Sequence, residues 1–263
     1  MRNGQVVICK KKRSIAVVTI QNSPVNTLSL EVVQQLLDVL EEIENDNDIT
    51  VVIITGTGEK AFMAGGDIKE FPKWMGKGEK YAEMRSLKLQ QPLNQLENLS
   101  KPTIAAINGL ALGGGCELAL ACDLRIIEEQ ALIGLPEITL GLFPGAGGTQ
   151  RLPRLIGEGK AKEMMFTGKP ISAKEAKEIG LVNYITPRGQ ALETAKKVAK
   201  DISEFSLPAL SYMKLAIREG AAVPLQKGLE IEAHYFGKVF QTEDAKEGVK
   251  AFIEKRIPYF TNR

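Results

Sequence analysis

Glu117 follows Gly114 by three residues in the stretch I-N-G-L-A-L-G-G-G-C-E-L-A-L-A-C-D, Ile107 to Asp123. Glycines strip a turn of side chains, so backbone N–H groups can approach a bound atom closely. The residues from Cys116 to Ala121 favour a helix. A helix that starts at this turn aims unpaired N–H groups and its positive dipole end at one point. Donors so placed stabilise negative charge developing on an oxygen. At helical spacing Gly114 and Glu117 share a face, which sets an acid/base group beside those donors. A lone G-x-x-E is more often a turn glycine and a capping carboxylate. Here Leu110, Ala111, Leu112, Leu118, Ala119, Leu120 and Ala121 predict burial on most sides, and a buried carboxylate is costly unless paired or functional.

A second carboxylate with buried-looking flanks is Glu137, in A-L-I-G-L-P-E-I-T-L-G; by itself it reads as a turn glutamate. Phe143 to Arg151, F-P-G-A-G-G-T-Q-R, places three glycines before another helical stretch and predicts a further N–H-lined helix start. Gly56 to Asp67, G-T-G-E-K-A-F-M-A-G-G-D, satisfies the loose dinucleotide pattern after a strand. That pattern requires a packed helix to open at once. Two more glycines and no amphipathic period follow instead, so a nicotinamide-dependent oxidoreductase is disfavoured. The better reading is an exposed-backbone loop in which Ala64, Gly65 and Gly66 leave their N–H groups unshielded.

The elements around these loops alternate. Strands are expected over Val6–Cys9 and Ile15–Ile20, at Ile49–Thr55, at Thr103–Asn108 and Leu124–Ile127, and at Val182–Ile185. A helix is expected over Leu30–Glu44 with Ser29 as N-cap. A long helix follows a polar approach after Gly76, with Tyr81, Met84, Leu87 and Gln91 on one face and Pro92 kinking or dividing it. Phe71 and Trp74 read as packing within an otherwise loose loop. Ser172–Ile179 is a helix stopped by Gly180. After Pro187 helices alone remain: Gln190–Ile202, Pro208–Glu219, Leu225–Phe240 and Thr242–Arg256. Alternation followed by helices predicts an α/β core with a helical appendage.

Composition narrows the function classes. The chain has 263 residues, 44% hydrophobic and 25% charged, with a formal net charge of +2. That balance argues against nucleic acid or an anionic membrane surface as a partner. The basic run Lys10 to Arg13 reads as a solvated strand end. Cys9, Cys116 and Cys122 show no paired metal spacing, and their odd number suits a reducing compartment. His234 is the single histidine, so neither a histidine-built metal site nor a Ser-His-Asp triad is expected. No signal core or membrane span is legible, which gives a cytoplasmic expectation.

Four pieces, K-A-F-M-A-G-G-D-I-K (Lys60 to Lys69), N-G-L-A-L-G-G-G-C-E-L-A (Asn108 to Ala119), P-E-I (Pro136 to Ile138) and P-G-A-G-G-T-Q-R-L-P-R (Pro144 to Arg154), together resemble the crotonase superfamily and specifically enoyl-CoA hydratases. The resemblance covers nearly the whole chain; Met63 and Gly66 stand where alanine is usual. It implies an α/β fold, a spiral of ββα repeats over residues 1–195, then a helical trimerisation region over 196–263. Trimers that pair into hexamers are implied too. The implied ligand is an acyl-CoA thioester, its carbonyl oxygen held by the N–H groups of Ala64 and Gly114. Ala64, Gly65, Gly66, Asp67, Ile68 and Lys69, with Gly114, would border the CoA arm. The two hydratase glutamates fall on Glu117 and Glu137, and the Gly145 N–H would help place a water. The implied reaction is reversible syn hydration of a trans-2-enoyl-CoA in fatty-acid degradation (β-oxidation), with no metal and no cofactor beyond the CoA of the substrate. Within the resemblance, an enoyl-CoA isomerase is the alternative enzyme, and an RNA-binding or assembly protein is the alternative of another class. Which glutamate gives the proton and which takes it stays open at this point.

Overall fold

The structure, a computed structural model, describes residues 4–262. Strands β1 (Val7–Lys12) and β2 (Ile15–Ile20) form an antiparallel hairpin whose basic turn passes through Arg13 at φ 54°. Helix α1 (Leu30–Asn45) starts at Ser29, whose side chain accepts from the Val32 N–H, as expected of an N-cap. It buries Val32, Val33, Leu36, Leu40 and Ile43, the apolar stripe of a 3.6-residue period.

The chain then winds through three similar turns. β3 (Val51–Gly56) leads to β4 (Ala61–Ala64) and α2 (Glu79–Asn98). β5 (Thr103–Ile107) leads to β6 (Leu110–Leu112) and α3 (Gly114–Leu120). β7 (Leu124–Glu128) leads to β8 (Leu132–Gly134), a 3-10 turn at Glu137–Leu140 and α4 (Gly148–Ile156). In each turn the first strand joins one sheet and the second strand joins another. After α5 (Glu158–Thr167) come β9 (Ile171–Ser172), α6 (Ala173–Glu178) and β10 (Tyr184–Thr186). The sheets are a six-stranded β1-β2-β3-β5-β7-β10 and a four-stranded β4-β6-β8-β9. All pairings are parallel except β1 with β2 and β8 with β9. The expected spiral of ββα units is therefore present, and β4, β6, β8 and β9 are the strands absent from the sequence reading.

β3 and β5 are buried along their whole length, as parallel strands covered on both faces must be. Val52, Ile54, Ala105 and Ile107 point into the main core with α1 and α3. Val51, Ile53, Ile104 and Ala106 point the other way, onto Ala191, Ala195 and Ala199 of α7 (Ala191–Ser203). α7 thus belongs to the sheet along its whole length, and the expected division at residues 195/196 falls inside it. Beyond it, α8 (Leu207–Gly220) packs on α9 (Leu225–Val239), and α10 (Glu243–Ile253) follows. These three helices expose Met213, Ile217, Leu225, Leu229, Phe236 and Phe252.

α2 also differs from expectation. It runs unbroken through Pro92, which is buried with Leu93 and Leu96, so packing of its C-terminal half outweighs the lost N–H. Its Met84 and Leu87 are exposed in the single chain. No helix among the described residues is long and apolar enough to cross a membrane.

Candidate active site

The turn between β6 and α3 leaves no room for a side chain at Gly113 or Gly115. Gly113 has φ 52° and ψ −121°, its N–H donates to the Gly134 carbonyl (2.9 Å), and its Cβ would stand 2.9 Å from Glu137 Oε1. A Cβ on Gly115 would lie 1.8 Å from the Met63 carbonyl oxygen, so the start of α3 rests directly on the backbone of β4. Gly114 is the first helical residue, and its N–H has no intrahelical acceptor.

Against this turn lies the loop after β4, and here one sequence expectation is corrected. The Ala64 N–H donates to the Val25 carbonyl (3.0 Å) and the Gly65 N–H to the Leu112 carbonyl (2.7 Å), so neither faces a ligand. Leu28 makes a bridge beside Gly66 by donating to the Gly65 oxygen and accepting from Asp67, and this leaves the Gly66 N–H without a protein acceptor among the described residues. The Gly65 carbonyl carbon, bonded to that nitrogen, sits 3.6 Å from the Cβ position of Gly114. Two neighbouring free amides therefore come from Gly66 and Gly114; Ala64 is a strand residue. The side chain of Asp67 accepts from the Lys69 N–H and opens a 3-10 turn over Ile68–Lys73, leaving Ile68 exposed at the rim. Phe71 packs on Trp74 with the rings tilted by 31° and their centroids 4.6 Å apart, the internal packing expected of that loop.

Glu117 is 2% exposed within α3, and its Oε1 accepts from the N–H groups of Ala146 (2.7 Å) and Gly148 (2.8 Å). Burial raises its pKa; those two hydrogen bonds and the nearby Arg151 guanidinium work in the opposite direction. No other protein donor reaches its second oxygen among the described residues, so Oε2 is left for a ligand or water. Glu137 opens the 3-10 turn that follows Pro136, and its buried Oε2 has no hydrogen-bond partner. Burial first, then the neighbouring Glu117 charge, push its carboxyl up to about 7. The structure thus brings Glu117, Glu137 and Gly114 together with Gly66. Gly145 lies beside them in the loop whose next residue donates to Glu117, and its own carbonyl accepts from Ser86 Oγ (2.6 Å) and Gln90 Nε2 (3.0 Å). The amides of Ala146 and Gly148 escaped the sequence reading, although the glycine cluster marked their loop. Ser86 and Gln90 carry no local signal, because a polar stripe on α2 gains its role only from the distant Gly145 carbonyl.

The family model described as enoyl-CoA hydratase/isomerase matches residues 10–263. The chain belongs to this family, within the crotonase superfamily. This enoyl-CoA hydratase/isomerase family chain is 44% identical to the short-chain-enoyl-CoA hydratase of Clostridium acetobutylicum, over 98% of each chain. It is 40% identical to the crotonyl-CoA hydratase of Syntrophomonas wolfei, again over 98% of each. Among solved structures, an enoyl-CoA hydratase from Bacillus anthracis superposes with a TM-score of 0.93 at 42% identity, covering 98% of this chain and 100% of that one.

Proposed function

We propose that this family member is an enoyl-CoA hydratase that adds water reversibly, and syn, across the double bond of a trans-2-enoyl-CoA. The observation that carries the reading is the carboxyl pair. One member is fixed by two amides with an oxygen to spare, and the other, its carboxyl pushed up to about 7, retains a substantial protonated fraction near neutrality. Two close carboxyls resist double ionisation, so the pair holds one proton.

In the proposed reaction the thioester oxygen lies between the N–H groups of Gly66 and Gly114. The arm of CoA runs along Gly65, Asp67, Ile68 and Lys69. Glu117 Oε2 takes a proton from a water that the Gly145 N–H helps to place. The water oxygen bonds to the β-carbon, and the electron pair of the double bond moves toward the thioester oxygen as an enolate. The two amides stabilise that charge. Glu137 then delivers its proton to the α-carbon. An O–H bond of the water, the O–H bond of Glu137 and the π bond of the alkene break; a C–O bond, a C–H bond and the O–H bond of Glu117 form, so the pair still carries one proton, now on Glu117. These groups supply every proton and charge stabiliser that the addition needs, so the proposal requires no cofactor.

Relatives named short-chain-enoyl-CoA and crotonyl-CoA hydratase support a short acyl chain in the first assay. A place in fatty-acid degradation in the cytoplasm is part of the reading, in keeping with three free cysteines. So is a trimer, or a hexamer of paired trimers, which would cover the apolar residues exposed on α8 to α10. Glu117→Gln and Glu137→Gln test the chemistry: each is expected to lose most turnover of crotonyl-CoA while still binding it. Near wild-type turnover in either variant overturns the two-carboxyl mechanism.

A further inference from the structure

One of the two amides that hold Glu117 is held from behind by side chains of α2, and the peptide between the two is held by Arg151. The Ala146 N–H that reaches Glu117 belongs to the peptide whose oxygen, on Gly145, accepts from Ser86 Oγ and Gln90 Nε2. Ser86 and Gln90 are one helical turn apart on α2. The next peptide oxygen, on Ala146, accepts from Arg151 Nη1 (3.2 Å). The other terminal nitrogen of that guanidinium, Nη2, donates to Asn94 Oδ1 (2.7 Å) and Glu97 Oε2 (2.7 Å), which continue the same stripe of α2. A Cβ on Gly147 would lie 2.1 Å from Arg151 Nη1, so the glycine at φ 111° is what lets the guanidinium lie against the loop. The groups line a cleft of about 370 Å³ on the loop. None of the four α2 side chains, nor Arg151, makes a hydrogen bond to Glu117.

We propose that Ser86, Gln90 and Arg151 are positioning residues, a polar latch from α2 that presents the Ala146 and Gly148 amides to Glu117 and so sets the aim and proton affinity of that carboxylate. The proposal rests on the hydratase reading. A peptide whose oxygen accepts two hydrogen bonds is polarised, and its N–H becomes a stronger donor. The Arg151 fork fixes the following peptide and keeps a positive charge near a buried carboxylate. Without the latch the loop has only its own backbone to hold it. A misplacement of about 1 Å at a reacting group can cost about 10²-fold in rate. The charged and titratable groups facing Glu117 are Glu137 from the 3-10 turn, Arg151 from α4 and the Cys116 thiol beside it.

The test compares Ser86→Ala/Gln90→Met, Arg151→Lys and Arg151→Met with the parent, all checked for native circular dichroism. The latch predicts a kcat lowered about 10- to 100-fold by the double variant and by Arg151→Met, with KM within about threefold. Arg151→Lys, which keeps the charge and loses the fork, should recover part of that loss. The carboxyl of Glu117 should also titrate at higher pH in Arg151→Met, followed by ¹³C NMR of labelled glutamate assigned with Glu117→Gln. That titration needs no turnover: a parent that fails to hydrate enoyl-CoA while the shift is present refutes the function and leaves the latch standing. Folded variants with kcat within twofold of the parent and an unmoved Glu117 titration overturn the latch. If the double variant does not fold, the Arg151 pair decides by the same two readouts.

Discussion

Gly114→Pro removes one hydrogen-bond donor, sets a ring carbon where its hydrogen pointed, and adds a Cβ that would stand 3.3 Å from Leu28 Cδ2. Gly114 is the first residue of α3, the helical position where proline is best tolerated because the N–H has no intrahelical partner. The preceding residue, Gly113, is free of the Cβ clash that restricts pre-proline positions. The variant therefore keeps the helix and deletes half of the proposed oxyanion site. Loss of one such donor costs about 10²–10³ in kcat, or roughly 2.7–4 kcal/mol of transition-state stabilisation. Gly114→Ala is the control. It retains the N–H, and its Cβ would stand 3.3 Å from Leu28 Cδ2, a contact that a small rotation of the leucine relieves. The assay is the loss of crotonyl-CoA absorbance, with melting followed by circular dichroism. The expected pattern is kcat and kcat/KM both down at least 10²-fold in Gly114→Pro, where the ring carbon also crowds the thioester oxygen, and Gly114→Ala within about tenfold of the parent. A folded Gly114→Pro with parental kcat refutes the reasoning.

At the neighbouring loop the free amide belongs to Gly66 and the bonded one to Ala64. Gly66→Ala keeps its donor, and the new Cβ meets only the Phe71 ring at 3.9 Å, so activity should stay within a few-fold; Ala64→Pro should instead lower the melting temperature, because the Ala64 N–H holds the Val25 carbonyl. The pH profile tests the carboxyl pair. The Glu137 carboxyl, pushed up to about 7, is protonated below that value, so kcat/KM for hydration should fall as pH rises through about 7, and Glu137→Gln should abolish that limb along with most activity. In Gly115→Ala the Cβ would overlap the Met63 carbonyl, and a loss of at least about 1–3 kcal/mol should appear in chemical unfolding. Lys101→Met strips the buried ammonium from the carbonyls of Ile43 and Asp46 at the end of α1, which should cost about 1–3 kcal/mol in the same measurement with kcat unchanged.

The parts of this molecule readable from the chain are those encoded locally. The period of α1 and its Ser29 cap, the glycines ahead of α3 and α4, and the carboxylates with apolar flanks each carry their own signal. β6 and β8 are three residues long, and β9 is two, so none presents a period; they exist because they pair across turns of the spiral. The same non-local pairing decides which amides are free. Ala64, Gly65 and Gly66 look alike in sequence, but Val25 and Leu112 claim the first two. Pro92 reads as a break, and the burial around it keeps α2 whole. The stripe Ser86, Gln90, Asn94 and Glu97 has the look of an ordinary polar helix face until the Gly145–Gly148 loop is seen against it.

Hydration requires that a water molecule, activated at Glu117, become part of the product. Incubating the protein with crotonyl-CoA in H₂¹⁸O and weighing the product by mass spectrometry tests it most directly. The expected product is 3-hydroxybutyryl-CoA carrying one ¹⁸O at the β-carbon. Conversion to a positional isomer with no heavy oxygen, or no conversion by the folded parent, would contradict it.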